Sequence, residues 1–240
     1  MAPVKLDINA ARGFRELRDG YLFVLASAAL SAVLGFVPVA GHTIISLLVI
    51  LGMLKIIEGF RELGDSTVLS HTSGYKTTYR ILKYGLIGIV IGIILLFLGA
   101  CAMLIYGSGA GITFGAVFTG IEVLIGFIMI LFVLSSISYL VSLFDLGADT
   151  QQSFFTIGGV LTVVVIIMQT FFVHDLLGLL SSAAFSLSGI FHIFVSLILL
   201  YLVMVVMEVI TLFICYKACT YAIDNGGVPD QKKGPTKLIR

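Results

Sequence analysis

Long uncharged stretches of this chain alternate with short clusters of charge, and that alternation predicts its elements. The segment 1–19 is amphipathic and carries Arg12, Arg15, Glu16, Arg18 and Asp19, whereas Gly20 to Gly41 has no charged residue at all. A first span is expected at 20–38, ended by the breaker cluster Pro38-Val39-Ala40-Gly41. The small-residue site Ala26-Ser27-Ala28 lies inside the apolar run, which favours a retained helix over a cleaved signal. A second span, 42–58, carries Lys55 and Glu58 and continues into Arg61, Glu62 and Asp65 as an amphipathic extension. From Tyr84 to Phe144 there are 61 residues with one charge, Glu122. As helix they would reach about 90 Å, enough for two spans of about 30 Å and a connection. These are expected at 85–106 and 119–143, joined through the glycine-rich run 107–111. A fifth span is expected at 154–173 and a sixth at 190–216. Residues 176–189 are too few to cross, so a short interfacial or re-entrant helix is expected there. The segment 217–240 reads as a basic, solvated tail.

No stretch shows the strict alternation of a membrane β-barrel strand. The predicted fold class is therefore all-α, a polytopic transmembrane bundle of about six spans arranged as three hairpins. Composition agrees: 59% of the 240 residues are hydrophobic and 11% are charged, with a mean hydropathy of +1.15. Soluble domains average about 25% charged residues, and so few charges cannot cover a soluble globule of this size.

Charge then orients the bundle. Residues 1–19 hold four Lys or Arg, 55–83 hold five and 217–240 hold five, which accounts for all fourteen. By the positive-inside rule the termini are expected in the cytoplasm and the protein in the cell (plasma) membrane. Tyr21, Tyr84 and Tyr216 are expected to form an inner aromatic belt, with Tyr106 in the outer one. Glu122 and His192 fall near the outer span ends by length counting.

Gly13-Phe14-Arg15-Glu16-Leu17-Arg18-Asp19 recurs as Gly59-Phe60-Arg61-Glu62-Leu63-Gly64-Asp65, with a fainter echo from Phe144 to Asp149. Each copy stands where a helix leaves the apolar stretch, consistent either with repeated hairpins or with convergence of amphipathic helix ends. Together with Lys55-Ile56-Ile57-Glu58-Gly59-Phe60, Gly74-Tyr75-Lys76 and Thr156-Ile157-Gly158-Gly159-Val160-Leu161, the Gly13 to Gly20 segment resembles a family of small archaeal multi-pass membrane proteins catalogued as a domain of unknown function. The resemblance covers about 13–165. It implies membrane location and a helical bundle, and it transfers no site residues.

Candidate chemistry is sparse. Asp145 and Asp149, spaced i, i+4, could hold a divalent cation on a diphosphate, but no second acidic pair stands near, and a solvated turn is the simpler reading. His192 and the span serines would suit intramembrane proteolysis only nominally, since serine in a span more often packs or bonds locally. Lys76, Arg80 and Lys83 share a helix face and are expected to contact lipid headgroups. Small residues at four-residue spacing, Ser27, Ser31 and Gly35 and then Gly88 and Gly92, predict close helix packing. Cys101, Cys215 and Cys219 read as small hydrophobes, with the i, i+4 pair Cys215 and Cys219 also open to lipidation. No catalytic motif, metal site or cofactor is expected.

The sharpest candidate is an intramembrane polar pair, Lys55 with Glu208. Glu208 lies nine residues before Lys217, about 13 Å of helix, and Lys55 follows Gly41 by fourteen residues, about 21 Å, so in a core about 30 Å thick their depths agree within a turn. The simpler alternative has Lys55 pairing with Glu58 and Glu208 bonded to a nearby hydroxyl. The leading function class is a non-enzymatic scaffold or accessory membrane subunit. The alternative is a small-solute or ion transporter or channel with a polar site near Glu208 and Lys55, for which a polar interior cavity would be the discriminating feature. Expected partners are the lipid bilayer and either further copies of the chain or other membrane subunits. Nucleic acid is not expected at a net charge of +1.

Overall fold

A computed structural model describes the backbone of residues 6–34, 40–106, 114–181 and 187–225, and the side chains of 6–31, 43–95, 97–99, 101, 123–124, 126–171 and 198–225. Six helices follow one another: α1 (Ile8–Leu34), α2 (Ala40–Gly64), α3 (Thr72–Tyr106), α4 (Phe114–Thr150), α5 (Ser153–Ser181) and α6 (Leu187–Asn225). Five of them contain described stretches long and apolar enough to cross a membrane, Thr43–Gly64, Thr72–Gly99, Gly126–Thr150, Ser153–Phe171 and Ile198–Asn225. The apolar half of α1 runs past its described side chains. Each helix packs on its neighbours in sequence, most extensively as the hairpins α1–α2, α3–α4 and α5–α6, and α6 closes back on α1. The result is an all-α ring of three helical hairpins.

Glycines set the closest approach. A Cβ at Gly13 would lie 3.0 Å from the carbonyl oxygen of Gly59, and one at Gly59 the same 3.0 Å from that of Gly13. One turn-pair further along, a Cβ at Gly20 would lie 2.8 Å from the Gly52 oxygen. Backbones this near leave no room for a side chain, so α1 and α2 touch through a heptad-spaced glycine seam. The Leu63 side chain covers Gly13 and the Leu17 side chain covers Gly59. The two full copies of the repeated heptad thus face each other across an antiparallel hairpin as quasi-symmetric halves of one contact. Gly88 and Gly92 similarly admit Leu131 and Ile128 of α4 against α3, as their spacing predicts.

The dense core sits at the charged end. Phe14, Leu17, Tyr21, Phe60, Leu63, Tyr75, Leu143, Leu146, Phe155, Cys215 and Cys219 are fully buried there. Their rings bridge helices across the bundle: Phe14 meets Phe155 at 6.0 Å between centroids, and Phe60 meets Tyr139 edge-on at 6.0 Å. The outward faces are hydrocarbon, as on α3 at Ile87, Ile91, Ile94 and Leu98 and on α6 at Val203, Val206, Ile210 and Phe213.

Several sequence expectations change. The charged segment before residue 20 is not separate, because Asp7 caps the helix through Ala10 N–H at 2.7 Å and α1 runs unbroken from Ile8. Lys76 to Lys83 form the first turns of α3 itself. The expected short helix at 176–189 is no independent element, since 176–181 ends α5 and 187–189 begins α6; residues 182–186 lie outside the described residues. The basic tail begins later than expected, for α6 continues to Asn225 with Ala218, Cys219 and Ala222 in the core. The solvated turn expected at Asp145 and Asp149 is instead the end of α4, with the Asp149 side chain buried, and the connection to α5 is Gln151 and Gln152 alone, Gln151 adopting a left-handed φ of 55°. Tyr21 is no belt residue but fully buried, its hydroxyl accepting from Tyr139 inside the core. The side chains of Tyr106, Glu122 and His192 lie outside the described residues.

Candidate functional site

Above the aromatic floor the ring of helices leaves a cavity of about 380 Å³ to which all six contribute lining. Its walls differ in kind. The lining from α1, α2 and α3 is hydrocarbon throughout: Val24; Val49, Met53, Ile56 and Ile57; Leu82, Leu86 and Ile89. Every polar lining residue comes from the other half, Ser135, Ser136 and Tyr139 on α4, Thr162 and Gln169 on α5, Glu208 and Thr211 on α6.

Three of these seven are satisfied within the protein. Thr162 donates to the Gly158 carbonyl at 2.8 Å and Thr211 to that of Met207 at 2.8 Å, each one turn back along its own helix. Tyr139 donates to the Tyr21 hydroxyl at 2.9 Å and approaches Cys215 Sγ at 3.9 Å, which fixes it as the floor of the cavity. The remaining four, Ser135, Ser136, Gln169 and Glu208, have no hydrogen-bond partner among the described residues, and the Ser135 Oγ is fully buried without one. A buried polar atom without a partner is rare in folded proteins, and Ser135 Oγ, with the unpaired half-buried Ser136 and Gln169 and the exposed Glu208 lining the same space, marks it as a site.

Helical periodicity explains why Glu208 looks inward. Met204, Thr211, Cys215, Cys219 and Ala222 form the buried stripe of α6, and position 208 falls on it, four residues after Met204 and three before Thr211. Unlike the rest of the stripe Glu208 is exposed, and it is one of the residues that line the cavity.

The expected Lys55–Glu208 pair does not form. The Lys55 ammonium donates to Glu16 of α1 at 2.5 Å, and Lys55 is not part of the cavity wall. Glu16 stands five residues below Tyr21 along α1 and Glu208 seven above Cys215 along α6. Tyr139 bridges Tyr21 and Cys215, so the two charges are about 18 Å apart along the bundle axis. Counting from Lys217 missed this because α6 does not end there.

Asp145 and Asp149 hold no metal geometry either: among the described residues no cluster of three or more His, Cys, Asp or Glu is placed to bind one. Asp149 is instead an acceptor for donors of the α2–α3 connection. It takes the His71 N–H at 3.2 Å, the His71 Nδ1–H at 2.7 Å, the Tyr75 hydroxyl at 2.8 Å, and both the N–H and the hydroxyl of Ser70. The hydrogen bond to Asp149 pushes the His71 pKa above its ordinary value despite some burial. At the other end of the same connection Asp7 accepts from Ser66 Oγ at 3.0 Å, Thr67 N at 2.5 Å and Thr67 Oγ1 at 2.9 Å. Burial disfavours the Asp7 charge, but hydrogen bonds from Thr67, Ala10 and Ser66 outweigh it and hold the carboxyl below the usual range. Of the cationic trio, Lys76 pairs with Asp65 at 3.0 Å, Lys83 lies 5.5 Å from the Tyr79 ring centroid, and all three side chains are exposed.

Sequence reasoning missed Ser135, Ser136, Gln169, Tyr139 and the Asp7 and Asp149 clasp, since each depends on partners brought together from different helices. The α6 stripe alone carried a readable signal.

Fold and site together define an all-α bundle of membrane-crossing proportions around an amphipathic interior chamber. Comparison of the chain with protein-family models, with curated proteins and with solved structures gives no match.

Proposed function

We propose that the protein is a non-enzymatic integral membrane protein that binds, and in binding conveys or senses, a small lipophilic molecule held within its helical ring. The observation that carries this reading is the two-sided lining of the 380 Å³ cavity, hydrocarbon from α1–α3 and polar groups from α4–α6 alone. Ligand sites are mostly apolar spaces with a few convergent polar groups. A scaffold or accessory subunit, the class favoured by the scarcity of ionisable residues, needs no chamber. An ion pathway needs more polar lining than this, because hydrocarbon walls do not replace a hydration shell. The charge distribution supports placement in the cell membrane with both termini in the cytoplasm, and the exposed Lys76, Arg80 and Lys83 support contact with headgroups of the surrounding bilayer.

The test is photolabelling in phosphatidylcholine nanodiscs with an alkyl alcohol of about ten carbons bearing a diazirine, a size drawn from the cavity volume. Peptides containing Leu86, Phe132 and Ile166 of the lining should label saturably, whereas outward residues such as Ile91 and Phe213 should label in proportion to probe concentration. Labelling without any saturable component at the lining would refute the proposal.

A further inference from the structure

Glu208 is a carboxylate in a largely hydrocarbon chamber, and its nearest candidate counter-charge from sequence, Lys55, is held by Glu16. The cavity lining contains no Lys, Arg or His. A lone carboxyl in such a chamber is neutral when protonated, and when ionised it is stabilised by a cation that this lining does not supply and that a ligand can bring.

We infer that the cavity binds a small amphiphilic amine, its protonated nitrogen on the Glu208 carboxylate and its hydrocarbon body against the α1–α3 wall. This rests on the reading of the cavity as a ligand site and specifies the ligand's chemistry. Gln169, on the same polar wall, has a free carboxamide oxygen that can accept a second N–H, and Ser136 a free hydroxyl, so an ammonium group finds more than one acceptor there. Opposite, Ile56, Leu82 and Leu86 offer surface only to an alkyl or aryl body. Size restricts the ligand further. About 380 Å³ holds on the order of a dozen non-hydrogen atoms. That admits a free amine with a chain of moderate length and is several-fold too small for a bilayer phospholipid. The Tyr139–Tyr21 floor closes the chamber toward the charged end, which leaves the hydrocarbon side as the source of the ligand.

The experiment compares two photoreactive probes of about ten carbons and the same diazirine, one ending in a primary amine and one in a hydroxyl, in phosphatidylcholine nanodiscs. Saturable labelling of Phe132 and Ile166 is quantified in wild type, Glu208→Gln and Glu208→Asp. The amine should saturate at concentrations at least about tenfold lower than the alcohol in wild type. Glu208→Gln should abolish that preference, the amine then saturating no lower than the alcohol, and Glu208→Asp should keep most of it. Equal saturation by both probes in wild type, or an amine preference that survives Glu208→Gln, would overturn the inference while the ligand-site reading stands. Absence of saturable labelling by either probe would overturn both. The wild-type comparison decides even where a variant fails to fold.

Discussion

The two halves of the described bundle solve opposite problems. At the charged end, polar groups are answered across helices: Glu16 by Lys55, Glu62 by Arg12 at 3.5 Å, Asp7 by Ser66 and Thr67, Asp149 by Ser70, His71 and Tyr75. In mid-bundle, Ser135, Ser136, Gln169 and Glu208 face a space and bond to nothing in the described protein. A half with satisfied polar groups and packed rings is built to be rigid, and a half with unsatisfied groups around a void trades stability for an empty chamber. Mutation at the two ends should therefore have opposite signs.

Asp149→Ala should produce the largest effect. It removes a carboxylate of 1% side-chain exposure and strands the N–H groups of Ser70 and His71 and the Tyr75 hydroxyl, a loss of about 3–5 kcal/mol by analogy with other buried charged partners. Thermal unfolding in detergent should show a fall in Tm of several degrees or more; an unchanged Tm would mean the clasp is ornamental.

Next comes the glycine seam. Gly20→Ala places a Cβ 2.8 Å from the Gly52 carbonyl oxygen and should cost about 1–3 kcal/mol through forced separation of α1 and α2. Gly126→Ala meets nothing within 4 Å and should be neutral or gain up to about 1 kcal/mol of helix propensity. Equal Tm shifts for the two would remove the seam as a determinant of packing.

The contrast sharpens at Glu208. Glu208→Gln removes an unpaired ionisable carboxyl from the chamber and should leave stability unchanged or raise it by about 1 kcal/mol in the ligand-free protein. A loss comparable to that of Asp149→Ala would place Glu208 in the structural network instead.

The smallest effect concerns pH. His71 gains its partner Asp149 on folding, so its pKa is raised and its charged form favours the native state. That contribution is fully present below the ordinary value of 6.5 and disappears as pH rises through the elevated native value. Tm of wild type should drift downward across that window relative to a His71→Asn variant, whose profile should be flatter there.

Much of this division was legible in the chain and part of it was not. Uncharged runs and their lengths give helices, and the recurrence of Gly13-Phe14 at Gly59-Phe60 marks two similar helix ends, because these are properties of single segments; that the two copies face each other emerges only from the fold. Boundaries moved where a polar stretch still had a buried face, as with Ala218, Cys219 and Ala222 beyond Lys217. Pairings between helices were not readable: Lys55 finds Glu16 rather than Glu208 because the glycine seam, not distance from a chosen boundary, sets the register of α2 on α1. The polar wall escaped for the same reason, its members being spread over α4, α5 and α6 with no common spacing.

Thiol reactivity compares the two halves in one experiment. Ser136→Cys and Gln169→Cys put thiols on the cavity wall, while Cys215 and Cys219 are native thiols buried in the core beneath it. With a small membrane-permeant methanethiosulfonate and peptide-resolved mass spectrometry, residues 136 and 169 should be modified at least about a hundredfold faster than 215 and 219, whose exposure requires opening of the packed end. Comparable rates at all four positions would contradict an open chamber above a closed floor.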